Sequence, residues 1–383
     1  MTLDPDALVA TARDQTGLRD FGGDEFREGL NVLAKSVVEQ SRLSPEGLEA
    51  AHQQFVRLLS TRLQIEEFYR DHPEIDDQDV PAPVFMLGLP RTGTTALAAL
   101  LQRDPERRSL LTWESSTPLP PPETATRDSD PRIAATQMGI DARHAAMPQL
   151  QAMYDASATA STECHDLLGM SFRTEHFCGQ FWVPDYTDWQ RECDMQPAYH
   201  YHRRVLKLLQ WRCGPNRWHL HSPVHMFALP DLLSVYPDAL FLMTHRDPVP
   251  VIGSVCSLIG TLQGTAGEKP DASALGHMQL ETWVIAVRRA LQFREKIGEA
   301  RFADVYFHEL NADPVAAVAA AYEKLGLPFT DAARSGMASW GSANPRGRHG
   351  THRYALEDCG LDAAKVLDAF AFYLDRFDVH LGS

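Results

Sequence analysis

The sequence predicts an α/β fold in which helices cover a central parallel sheet, preceded by a helical N-terminal extension. Three observations predict it. Short apolar runs suited to buried strands, PVFMLGL (83–89), RWHLH (217–221), ALFLMTH (239–245) and DVYFH (304–308), alternate with helical segments. That alternation is the pattern of a parallel sheet whose strands are covered on both faces. The first run passes at once into a glycine- and threonine-rich turn and a helix, TTALAALLQRDP. Before residue 78 the apolar positions recur at helical spacing instead. The chain therefore divides into an extension over 1–78 and an α/β domain over 79–383.

Within the extension, SPEGLEAAHQQFVRLLSTRLQIEEFYR opens with Ser44, suited to an N-cap, and Pro45, suited to the first helical position. Leu48, Phe55, Leu58, Leu59 and Leu63 then line one face, and Asp71-His72-Pro73 ends the run. Near the other end, Asp313-Pro314 caps VAAVAAAYEKLG, which Gly326 closes. Two irregular stretches, the proline-rich 116–131 and the glycine-rich 260–273, read as surface connections, with mobile loops over a site as the alternative. The block 162–204 is dense in aromatics (Phe172, Phe177, Phe181, Trp182, Tyr186, Trp189, Tyr199, Tyr201). Such a stripe is usually core, with an acceptor-pocket wall as the alternative.

Bulk properties narrow the function. Lys+Arg of 36 against Asp+Glu of 51 gives a net charge of −15, a field that disfavours nucleic-acid and acidic-membrane partners. Six scattered cysteines without a CxxC suit reduced thiols in the cytoplasm. No signal peptide and no stretch approaching 18 apolar residues is visible, so no membrane span is expected.

Residues 87–97, LGLPRTGTTAL, carry the chemistry. A strand leading through glycines into a helix gathers backbone N–H groups and the positive end of a helix dipole, which makes an anion site. The triphosphate-binding version places a lysine after the second glycine. Here that position holds Thr94, and Arg91 lies inside the loop. A cradle without the lysine suits a single 5′-phosphate bearing a further anionic group. Two more basic elements lie downstream. Arg246 leaves the end of ALFLMTH with Ser254 eight residues on, and NPRGRHGTHRY (344–354) concentrates Arg346, Gly347, Arg348, His349, His352 and Arg353. Together they describe a ligand with two separated phosphates.

These elements resemble the sulfotransferases that use 3′-phosphoadenosine 5′-phosphosulfate (PAPS), with a P-loop-like three-layer fold. GLPRTGTT looks like the 5′-phosphosulfate loop, THRDPVPVIGS like the 3′-phosphate segment, and NPRGRHGTHRYALEDCGL like the C-terminal basic loop. The resemblance runs from about residue 83 to 370 and is nearest the bacterial branch with a Trp-Glu pair, here Trp113-Glu114. It implies donor contacts from Pro90, Arg91, Thr92, Gly93, Thr94, Thr95, Arg246, Ser254, Arg346, Gly347 and Arg348. It also implies release of adenosine 3′,5′-bisphosphate and no metal. Glu114 stands where related tyrosylprotein sulfotransferases carry their catalytic glutamate and is the expected general base, with Arg91 aiding charge stabilisation. His221 stands where bacterial relatives commonly have a lysine facing the leaving group, and is the rival base. The expected acceptor is an alcohol of a small molecule, lipid or glycan, and a homodimer is left open. The alternatives are a catalytically impaired nucleotide-binding protein and a P-loop kinase-like enzyme.

Overall fold

The computed structural model describes residues 3–148, 156–344 and 355–382. Three helices open the chain: α1 (Pro5–Thr16), α2 (Phe26–Gln40) and α3 (Pro45–Asp71). As the sequence predicts, Ser44 caps α3, its side chain accepting from the Gly47 N–H at 3.0 Å. Its apolar face buries Phe55, Leu58, Leu59 and Leu63.

Five parallel strands follow: β1 (Val84–Gly88), β2 (Arg108–Ser109), β3 (Trp218–His221), β4 (Leu240–His245) and β5 (Phe302–Tyr306). Their order across the sheet is β2-β3-β1-β4-β5. The four strand runs expected from the sequence are all present. The last begins two residues earlier than DVYFH and also ends two residues earlier, where Phe307 opens a short helix, Phe307–Ala312. The edge strand β2 is additional.

β1 shows how the layers form. Phe85 and Leu87 enter the core shared with α1–α3, whereas Val84 and Met86 enter a second core. That second core includes Leu97, Leu100 and Leu101 of α4 (Thr94–Leu101), with Val318 and Tyr322 from the helix Pro314–Lys324. Alternation along the strand thus places a helical layer on each face.

After β1 the chain moves to one side, toward β2; after β4 it moves to the other, toward β5. Strands leaving in opposite directions open a crevice at their carboxyl ends, where ligands bind in such sheets. In register, Gly88 lies opposite Thr244 and Met86 opposite His221. The expected anion loop, Arg246 and His221 therefore share one edge of the sheet.

One expectation is corrected. The glycine-rich stretch 260–273 is helical as far as Ala266, as the end of α6 (Pro248–Ala266). The Gln263 amide donates to the carbonyls of Cys178 and Phe181 at 2.8 and 3.1 Å, holding the helix inward. A Cβ on Gly260 would meet Leu275 of α7 (Ala272–Ile297) at 3.3 Å, so the missing side chain lets the two helices lie close. The same α6 is long and apolar enough, by length and composition, to cross a membrane. It packs against α3 and α7 inside the domain.

Candidate active site

The loop joining β1 to α4 is shaped by three residues with positive φ: Gly88 at 130°, Arg91 at 65° and Gly93 at 90°. Gly88 is obligatory on steric grounds, since a Cβ there would lie 2.2 Å from Thr244 Oγ1. Thr92 is buried and ties the loop down: its hydroxyl donates to Leu89 O at 2.7 Å and meets Thr244 Oγ1 at 2.6 Å. Thr95, in the first turn of α4, is exposed. The first N–H groups of a helix have no intrahelical acceptor, so this turn presents donors to an anion.

The basic elements converge here. Arg91 Nε donates to Ser254 Oγ of α6 at 3.1 Å, and Arg246 Nη1 donates to Arg91 O at 2.8 Å. The Arg246 guanidinium lies over the Phe307 ring, 3.9 Å from its centroid. The Asp247 carboxylate caps α6 through the Val249 N–H at 2.9 Å, which fixes the direction in which Arg246 leaves β4. Loop, Arg91, Arg246 and Ser254 thus form one contiguous site. Arg346, Gly347 and Arg348 lie outside the described residues.

Glu114 sits on α5 (Thr112–Ser116) with its side chain wholly buried. Oε1 accepts from Arg108 Nη2 at 2.7 Å and from Arg127 Nε at 3.0 Å; Oε2 accepts from the Leu111 N–H at 3.3 Å. Arg108 is itself buried, donating also to Leu209 O at 2.9 Å and to Cys213 O. A general base needs a lone pair within reach of the acceptor's proton. Glu114 instead has the geometry of an ion-pair anchor, holding α5 to β2 and to the proline-rich stretch through Arg127. Arg132 secures that stretch further, donating to the carbonyls of Thr117 and Pro120 at 2.9 and 2.6 Å.

His221 ends β3 and is buried beside Glu163 and His165. Burial lowers the basicity of its imidazole, with Glu163 opposing and His165 reinforcing the shift. At neutral pH it is therefore uncharged and able to take a proton. His225, four residues on, has a different job: its Nδ1 pairs with Tyr199 OH at 3.0 Å in the core, and burial keeps it neutral. The aromatic block is core in the main. Phe172, Phe177 and Phe181 each meet Phe55 edge-on, with centroids 5.7, 5.8 and 6.2 Å away.

One group escapes sequence reasoning. Glu163 and His165, read only as part of the aromatic block, face each other with Oε2 and Nε2 2.6 Å apart, next to the end of β3. Their spacing of two residues gave no signal, because the chain turn that joins them to His221 is set by a backbone bond, Cys164 N–H to His221 O at 3.0 Å.

Comparison with known proteins agrees with this fold. The sulfotransferase family model matches residues 83–331. The crystal structure of sulfotransferase STF1 from Mycobacterium tuberculosis superposes with a TM-score of 0.86 at 34% identity, covering 96% of this chain and 98% of that one. Sulfotransferase STF9 from Mycobacterium avium superposes with a TM-score of 0.89 at 32% identity, covering 98% and 97%. A 109-residue stretch is 31% identical to the omega-hydroxy-beta-dihydromenaquinone-9 sulfotransferase Stf3 of Mycobacterium bovis and of Mycobacterium tuberculosis, spanning 28% of this chain and 28% of each relative. The chain belongs to the sulfotransferase family.

Proposed function

We propose that this protein transfers the sulfuryl group of PAPS to the hydroxyl of a lipid-like alcohol in the cytoplasm. The observation that carries the donor reading is the convergence of Arg91, Ser254 and Arg246 at the carboxyl edge of β1 and β4. A lysine-free cradle with an arginine on each side fits two separated phosphates without a metal. Pro90, Arg91 and Thr92–Thr95 would hold the 5′-phosphosulfate and Arg246 with Ser254 the 3′-phosphate. Arg346, Gly347 and Arg348 are proposed to complete the grip. The lipid-like acceptor follows the menaquinone-derived alcohol in the name of the Stf3 relatives; a small-molecule or glycan alcohol is the outcome that would revise it.

The donor supplies a sulfuryl group activated on its 5′-phosphate, so the chain's work is positioning, charge stabilisation and one proton removal. His221 is the proposed base. It is neutral, lies on the loop's edge of the sheet, and no described side chain hydrogen-bonds its ring. It takes the proton of the acceptor hydroxyl while that oxygen forms the new S–O bond. The bond from sulfur to the phosphate oxygen breaks, and Arg91 meets the charge left on adenosine 3′,5′-bisphosphate. Glu114 contributes as an anchor. The test is calorimetric binding of adenosine 3′,5′-bisphosphate and of adenosine monophosphate, followed by transfer from labelled PAPS into a lipid extract. Tight binding of the bisphosphate alone, with a labelled lipid product, supports the reading. Equal affinity for the two nucleotides overturns it.

A further inference from the structure

Beside His221 lies a set of ionisable groups that the proposed mechanism leaves unused. The segment carrying them is fixed at two points: Thr162 N–H donates to Leu110 O at 2.8 Å, and Cys164 N–H donates to His221 O at 3.0 Å. Glu163 and His165 flank that second bond. Their side chains meet at 2.6 Å and are 27% and 19% exposed, so they are neither sealed in the core nor out in solvent. Ser222, the residue after His221, donates its hydroxyl to Glu163 Oε2 at 3.4 Å. The far nitrogen of His165, Nδ1, lies 3.2 Å from Thr174 Oγ1, and the ring stacks on His176 with centroids 4.6 Å apart. His176 Nε2 is in turn 3.0 Å from the Gln180 amide. A histidine held at both nitrogens and on one face is oriented, not free to exchange protons with a substrate. Its role is exerted on a neighbour.

We propose that Glu163 and His165 are positioning residues for His221: their ion pair orients the segment bonded to the end of β3 and sets the charge that the His221 ring meets as it takes the acceptor's proton. This rests on the reading of His221 as the base. A carboxylate beside a histidine stabilises the imidazolium that forms during proton transfer, as in other base–carboxylate arrangements. Here the carboxylate comes with its own cation, so His221 meets an ion pair rather than a bare charge.

The local electrostatics fit. Burial alone would push the Glu163 carboxyl up, but His165, with His221 and His176 behind it, holds it down at about 2. Burial likewise opposes charge on His165, and Glu163, Glu175 and Asp166 outweigh it, raising the ring above its ordinary value. Both shifts favour the ionised form of the pair. The other groups facing it are accounted for. Burial and His165 drive His176 down to about 3, with Arg143 adding to the shift. Burial lifts Glu175 to about 7, with Arg191 opposing. Asp166 is engaged by Arg57 at 3.3 Å and Ser115 at 3.2 Å.

The test needs no acceptor. In full-length protein saturated with adenosine 3′,5′-bisphosphate, the His221 imidazole is titrated by NMR with labelled histidine, His221→Gln identifying its signal. Removing the cation with His165→Gln leaves Glu163 alone beside the ring, so the His221 pKa rises, by an amount on the order of one unit. Removing both charges with Glu163→Gln, which also strips the reason for His165 to be protonated, lowers or leaves the His221 value and never raises it. Glu163→Asp restores the wild-type direction. Melting curves accompany each variant, and if Glu163→Gln does not fold, His165→Gln alone decides. A His221 titration unmoved by His165→Gln overturns the proposal while bisphosphate binding persists. Loss of bisphosphate binding in the wild type would overturn the donor reading instead.

Discussion

Replacing Glu114 by alanine separates an anchor from a base. In the folded chain the Arg108 guanidinium is sealed from solvent and its charge is balanced by Glu114 at 2.7 Å. The alanine variant strands that charge in the interior and also frees Arg127 from its 3.0 Å bond. Breaking a buried pair by deleting one partner costs about 3–5 kcal/mol. With an unfolding entropy near 2.1 cal/mol/K per residue, a chain of 383 residues would lose about 4–6 °C of melting temperature. Glu114→Gln keeps an acceptor oxygen and should lose roughly half as much. Scanning calorimetry reads the stability and titration calorimetry with adenosine 3′,5′-bisphosphate reads the donor site, which should keep its affinity in whatever fraction remains folded. A variant that melts within about 1 °C of wild type, binds the bisphosphate normally and transfers no sulfate would refute the anchor and return Glu114 to the role of base.

Other predictions follow from the same geometry. Arg246→Ala should weaken bisphosphate binding about tenfold to a hundredfold, the loss of a charged hydrogen-bonding contact, and Arg246→Lys should recover little because the planar fork is lost; equal affinity across the three proteins would remove Arg246 from the site. Gly88→Ala forces a Cβ to 2.2 Å from Thr244 Oγ1, so it should abolish bisphosphate binding while far-ultraviolet circular dichroism stays near wild type; retained affinity would mean the loop is not the cradle. Stability should fall on acidification. His202, held at about 3 by burial, and His219 and His225, which burial lowers well below their ordinary value, stay neutral when folded. Unfolding lets each take a proton below its ordinary value near 6.5. The unfolded state then binds more protons, and each such histidine removes about 1.4 kcal/mol per pH unit below that point. Urea midpoints measured from pH 8 to pH 5 should be level above neutrality and drop below about 6.5; a flat profile would refute the assignment of neutral buried rings.

What the sequence disclosed was local. The loop at 87–97 and the pair Arg246 and Ser254 were legible because strand, turn and helix follow one another directly, and a parallel sheet brings the ends of neighbouring strands together. Glu114 could be located but not interpreted. Its partners lie 6 residues before it and 13 after, and no periodicity announces that they close on one carboxylate. β2 has only two residues and owes its place to pairing with β3, not to an apolar run. α6 was cut short in expectation because glycines at 260 and 264 resemble loop punctuation, whereas in the fold Gly260 serves close helix contact. Glu163 and His165 were overlooked for a similar reason: their meaning comes from a backbone bond to a strand some 57 positions later.

The far end of α6 is stitched to the start of the chain. Ser44 N–H donates to Ala266 O at 3.0 Å and Glu268 N–H donates to Arg42 O at 2.9 Å, with Leu43 and Gly267 paired between them. The near end of the same helix carries Ser254, on which Arg91 leans. One rod therefore spans from the opening helices to the anion cradle. A chain shortened to begin at residue 79 would lose Phe55 from its packing against Phe172, Phe177 and Phe181 and unmoor that rod at its distal end. The opening helices are accordingly a foundation for the proposed donor site, and swapping them between relatives would alter bisphosphate affinity without touching a single residue of the loop.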